Sequence, residues 1–193
     1  TMNRLVKKLG LLAIAIGFAG STLLAQSHQI SNANFEVEGT STLHDWTMES
    51  KAASGTVNMT MEGDKIKSIY RFDVKLKAES LESGKSTMDD LAHEALKSED
   101  HPMISFKLTN IKSITYSGNT ANIIATGVLT IAGKSKTVDI KGTGVNNNGT
   151  ITLKGSKDLK MTDFDMEPPT AMFGTIKTGD SITINYSLTL KTK

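Results

Sequence analysis

The stretch Arg71-Phe72-Asp73-Val74-Lys75-Leu76-Lys77-Ala78-Glu79 has one regular conformation open to it. Apolar Phe72, Val74, Leu76 and Ala78 alternate with charged neighbours, and strict period two is a strand with one buried and one wet face. Ser181 to Lys191 repeats the pattern through Ile182, Ile184, Tyr186, Leu188 and Leu190. Ile151, Leu153, Leu159 and Met161 share a parity that Gly155 and Lys157 interrupt. Weaker alternation covers 35–38, 56–62, 104–109, 121–132 and 136–145. Between the runs stand Glu62-Gly63-Asp64, Ser117-Gly118-Asn119, Ala132-Gly133-Lys134, Asn147-Asn148-Gly149 and Thr178-Gly179-Asp180. Each carries a residue that tolerates the positive φ of a hairpin. The chain is therefore all-β, with eight or nine antiparallel strands, no repeat and no linker. A sheet that long splits into a sandwich or closes into a barrel, and periodicity alone does not choose.

Ahead of these strands lies a different kind of sequence. Arg4, Lys7 and Lys8 precede an apolar run from Leu9 to Ala19, followed by small residues up to Ala25. Positive end, apolar middle and small-residue exit make the pattern of a secretory leader, with cleavage expected after Ala25. The apolar part falls short of the ~20 residues that span a bilayer. The division is then 1–25 as leader and 26–193 as one domain. The leader holds three of the 22 bases and no acid, so the remainder carries 19 bases against 20 acids, a net charge of −1. No basic run follows Lys8, which argues against a nucleic-acid partner. The sequence contains no cysteine, which removes disulfides, thiolate metal sites and a cysteine nucleophile together.

Two segments break the alternation. In Ser83 to Lys97, Met88, Leu91, Ala95 and Leu96 share a helical stripe, and Ser86 and Thr87 each stand three residues before an aspartate in the manner of a capping box. One amphipathic helix is expected there, packed across a mouth of the sheet as a lid. The second break, 162–177, contains Phe164, Met166, Met172 and Phe173 and reads as a long loop folded onto something apolar.

Several of these pieces fit one pattern. Gly39-Thr40-Ser41-Thr42-Leu43-His44-Asp45-Trp46-Thr47-Met48 resembles the opening motif of the YceI-like, polyisoprenoid-binding proteins. Met88-Asp89, Ala95-Leu96-Lys97-Ser98 and His101-Pro102-Met103-Ile104-Ser105-Phe106 continue the resemblance, as do Gly127 to Gly133, Leu159 to Phe164 and Pro168 to Gly174. Asp165-Met166 stands where the family's pattern carries a glycine–aliphatic pair. The resemblance implies a closed antiparallel lipocalin-like β-barrel of about eight strands with one short amphipathic helix. It also implies a periplasmic or secreted protein with an elongated apolar tunnel for an isoprenoid or similar long-chain lipid, no cofactor and no catalytic residues.

The candidate ligand-binding residues follow from that reading. Phe72, Val74 and Leu76 face inward from the clearest strand, with Phe106, Ala125 and Leu129 from later ones. Met88 and Leu91 come from the helix, Met172 and Phe173 from the long loop. His44 and Trp46 stand either as a polar residue and an aromatic closing one barrel end or as headgroup contacts. Ala121, Ala125 and Gly127 share the inward parity of their strand, and small inward residues leave room for a ligand. Ser41, His44 and Asp45 have the identities of a catalytic triad but lie within five positions of one extended segment, where neighbours face opposite ways. His28, His44, His93 and His101 show no metal-ligand spacing, and Asp89 with His93 reads as a surface hydrogen bond. A carrier for a long apolar molecule is the expected function. The alternatives are an enzyme or accessory factor acting on a quinone or lipid, and a cell-envelope interaction module with a solid core.

Overall fold

The computed structural model describes residues 24–192. Most of them form ten strands: β1 (Leu24–Ser41), β2 (Trp46–Ser50), β3 (Ser54–Glu62), β4 (Lys65–Lys77), β5 (Met103–Ser117), β6 (Thr120–Ile131), β7 (Lys134–Asn147), β8 (Thr150–Lys160), β9 (Thr170–Ala171) and β10 (Ile176–Thr192). Helix α1 (Ser86–Ala95) is the sole α-helix among the described residues. The expected leader lies outside them except for Leu24 and Ala25, which pair with Met61 and Thr60 at the start of β1.

Every pairing is antiparallel, and the first and last long strands join: Phe35 faces Tyr186 and Val37 faces Ile184. That pairing closes the sheet. β2 and β3 lie end to end along β1, against 35–39 and 24–29 respectively. Taken as one wall, with the two-residue β9 set aside, they complete a closed eight-walled barrel. Eight strands enclose an interior just wide enough to be filled by side chains or to hold one small ligand.

Four of the five expected turns reverse the chain, with Gly63, Gly118, Gly133 and Gly149 at positive φ. The fifth does not. β10 runs unbroken through Gly179, whose missing side chain admits the Thr40 hydroxyl instead. Helix α1 also departs from expectation at its start. Ser86 is already helical, Lys85 occupies the cap without a side-chain bond, and Asp89 reaches back to the Ser83 amide at 2.6 Å and its hydroxyl at 2.7 Å. His93 is not bonded to Asp89; its Nε2 meets the Leu81 carbonyl oxygen at 2.8 Å. Both contacts moor the helix to the segment that precedes it.

The interior has two unlike halves. Toward the hairpins at Gly63, Gly118 and Gly149, the walls pack a solid core of Val57, Met59, Ile66, Ile151, Leu188 and Leu190. His28 lies in that half, 1 % exposed, with no hydrogen-bond partner for its Nδ1. Toward the other end, a second cluster including Leu76, Phe106, Leu129, Met161 and Phe164 surrounds empty space. The β7–β8 ladder stops at Lys141 and Ser156. Beyond it side chains tie the wall, Lys134 Nζ to Asp165 at 2.7 Å and Lys136 Nζ to Asp163 at 3.1 Å. Asp165 holds a left-handed φ of 55°, the conformation glycine adopts most readily.

Candidate ligand cavity

The hollow half contains a cavity of about 490 Å3, inside the ~300–1,000 Å3 range of sites that take one small ligand. Its floor is aromatic. Phe72 and Phe106 meet edge to face at 5.8 Å, and Phe35 stacks on Tyr186 at 6.2 Å. Phe72, Phe106 and Tyr186 also line a second void of about 40 Å3 on the far side, so these rings partition the barrel interior.

Glycines make room for the rings. A methyl group at Gly127 would strike the Phe106 ring, and one at Gly39 would strike Trp46 directly opposite. Tyr186 crosses its wall above Gly155, where an added methyl would lie 2.5 Å from Cζ, and reaches Gly142 on the next strand. Burial pushes the Tyr186 phenol up to about 12, since desolvation disfavours the phenolate.

The mouth is built by three segments. Residues 41–45 form a tight turn in which the Ser41 hydroxyl donates to the His44 carbonyl at 2.7 Å and accepts the His44 amide at 3.1 Å. This turn is joined to the strand opposite it where the Thr42 amide donates to the Lys177 carbonyl at 2.9 Å. Helix α1 supplies the third side through Met88, Leu91, Ala92 and Ala95.

Nine of the twelve candidate residues line this cavity: His44, Trp46, Phe72, Val74, Leu76, Met88, Leu91, Phe106 and Leu129. His44 is exposed at the rim with Nδ1 against the Asp45 carbonyl at 2.7 Å, and Trp46 Nε1 donates to the Thr40 carbonyl at 3.0 Å. Ser41 is spent on its own turn, so Ser41, His44 and Asp45 form no relay.

Three candidates lie elsewhere. Ala125 does face inward, but below the aromatic floor, on the small void. Met172 and Phe173 point out of the barrel, 68 % and 109 % exposed. Met172, Phe173 and Gly174 all take positive φ, and this reversal turns the two side chains away from the interior. The loop's other apolar residues behave as expected, with Phe164 and Met166 buried. Sequence reasoning missed Tyr186 and Lys157 as lining groups; the glycine at 155 and the lysine at 157, interrupting an inward parity, were the signal for both.

Among the described residues no three metal-ligating side chains come together. A closed eight-walled barrel, half solid and half hollow, with an apolar pocket under a helix defines a lipocalin-like small-molecule-binding architecture. The sequence model of the YceI-like domain matches residues 24–190, and the chain belongs to the YceI-like family.

Solved structures share the fold. BcnA of Burkholderia cenocepacia is similar with a TM-score of 0.65 at 20 % identity, over 81 % of this chain and 95 % of that one. A polyisoprenoid-binding domain from Saccharophagus degradans, implicated in plant cell wall breakdown, gives 0.65 at 9 % identity, over 87 % and 99 %. The YceI protein of Campylobacter jejuni gives 0.57 at 18 %, over 73 % and 81 %. No curated protein sequence matches the chain.

Proposed function

We propose that this protein is an exported carrier that sequesters one long apolar molecule, an isoprenoid, isoprenoid quinone or fatty-acid-like lipid, in the hollow half of the barrel. The observation that carries the reading is the apolar cavity of about 490 Å3 above the aromatic floor. At ~25 cal/mol per Å2, burying on the order of 200 Å2 of tail contributes roughly 5 kcal/mol. The similar domain from Saccharophagus degradans is described as polyisoprenoid-binding, which supports the same ligand class here. Export to the periplasm or beyond rests on the leader pattern in 1–25. A solid-core module accounts poorly for so large a void.

Mass spectrometry of an organic extract from the purified protein tests the reading. One apolar molecule per chain is expected. An empty extract, together with no binding when the protein is titrated with farnesol or a medium-chain fatty acid, overturns it. Export has its own check, amino-terminal sequencing of protein from the envelope fraction. A start near Gln26 is expected, and an intact Met2 overturns it.

A further inference from the structure

Two polar side chains on adjacent walls border the inner part of the cavity. Along β8 the inward positions are Ile151, Leu153, Gly155, Lys157 and Leu159, so Lys157 faces the interior and lines the cavity. Its register partner on β10 is Ile184, and the next inward residue on that strand is Tyr186, opposite Gly155. Lys157 and Tyr186 are therefore diagonal neighbours on one inner face. They stand on or next to the floor.

Neither group is satisfied from within the barrel. No carboxylate pairs with Lys157 among the described residues. Asp139, whose carboxylate feels the charge of Lys157, is bonded to Lys112 Nζ and to the Thr126 hydroxyl at 2.7 Å. No described group hydrogen-bonds the Tyr186 hydroxyl. Lys157 is partly buried where its wall meets the cavity and, among the described residues, has no carboxylate partner. An incoming anionic oxygen would supply that partner and also accept the tyrosine proton. The rim is mixed. Apolar Leu43, Met88, Leu91, Pro169 and Ile176 stand there beside neutral polar Ser41, Thr87 and Thr178 and the exposed His44, and Lys85 is exposed.

We propose that the ligand is an amphiphile with an anionic oxygen headgroup, carboxylate or phosphate. It binds head first, with the headgroup between Lys157 and Tyr186 and the tail leading out through the mouth. This rests on the carrier reading of the cavity and adds to it the chemistry of the ligand's end and its direction. Lys157 is the specificity-determining residue, and Tyr186 shares the headgroup.

The test is calorimetric titration with dodecanoic acid, dodecyl phosphate and dodecan-1-ol, three probes with one tail. At least one of the two anions is expected to bind about tenfold or more tightly than the alcohol, the scale of a hydrogen bond to a charged group. Which anion is tighter separates a carboxylate from a phosphate ligand. Lys157→Met is expected to bring the preferred anion down to the alcohol's affinity while alcohol binding holds, which also shows that the variant folds. Lys157→Gln serves if Lys157→Met does not fold, and Lys157→Arg is expected to restore most of the preference. Lys85→Met is expected to leave the preference intact.

Direction is read separately with stearic acid carrying a doxyl label at carbon 5 or carbon 16. Head-first binding leaves the carbon-16 label open to a water-soluble chromium complex and shields the carbon-5 label. An alcohol that binds as tightly as both anions overturns the proposal and leaves the carrier reading standing. So does a preference that survives in Lys157→Met, or one that vanishes in Lys85→Met. Failure of all three probes to bind overturns this proposal, and the carrier reading falls with it only if the organic extract is also empty and farnesol does not bind.

Discussion

Phe72 and Phe106 meet edge to face, their ring centroids 5.8 Å apart, and both border the main cavity and the small void beneath it. They are one layer thick. The depth available to a ligand is therefore set by this layer of rings, with Tyr186 beside them, and not by the length of the barrel.

Phe72→Ala is expected to open the floor and join the two voids. Removing a core aromatic costs about 3 kcal/mol, the lower end of the usual range because Phe72 is only half-buried. Affinities for a series of fatty acids should shift their optimum to a longer chain. An unchanged optimum in a folded variant would show that the rings do not limit depth.

Ala125→Leu tests where Ala125 lies. Its void is small, and Phe106 and Tyr186 form part of the boundary. Three added carbons overpack the site, so a loss of about 1–3 kcal/mol in urea unfolding is expected. Ligand affinity should change less than stability does. Full stability with abolished binding would instead place Ala125 in the ligand's own space.

Leu91→Asp probes the helix as a lid. No residue of α1 is fully buried, and it is moored by the bonds of Asp89 to Ser83 and of His93 to Leu81. Ligand release, followed by stopped-flow displacement, should quicken several-fold with a small change in melting temperature. A large drop in melting temperature would make the helix part of the core.

His28 gives the fold a pH dependence of known sign. Desolvation holds its imidazole below the ordinary histidine value, which favours the neutral form in the folded chain. The unfolded chain then binds more protons, so this contribution is present above about pH 6.5 and is lost as pH falls through the folded value. Melting temperature should decline between pH 7.5 and pH 5 in the parent and decline less in His28→Leu. Parallel curves for the two proteins would remove His28 from the account.

How much of this was legible in the sequence varies from wall to wall. Residues 71–79 and 181–191 read as strands because their alternation is unbroken, while 110–117 did not. β5 shifts register between Leu108 and Asn110 and again between Ile111 and Ser113, and each shift flips the parity that period-two reading relies on. β4 hides its first half in the same way, through shifts in its pairing with β3 at Asn58/Met59 and Thr60/Met61. Inward parity identified Phe72, Val74, Leu76, Phe106 and Leu129 as cavity residues without the structure. Depth along the barrel is another matter, since Ala125 and Leu129 share a parity and fall on opposite sides of the floor. Met172 and Phe173 misled because their apolar identity is local, whereas the backbone reversal that turns them outward is seen only in three dimensions.

The join between β1 and β10 has a consequence for how the protein comes to exist. Partners such as His28 and Thr192 stand at opposite ends of the sequence, so the barrel shuts only when its last strand is available. Until then the half-made sheet has two bare edges, and a chain so dependent on distant pairings folds slowly. A nascent chain in this condition stays open. Once shut, the same seam makes its two ends neighbours. Tying them together and cutting the chain at the Asn148-Gly149 turn would move the seam to β7 and β8, and with it the last step of assembly.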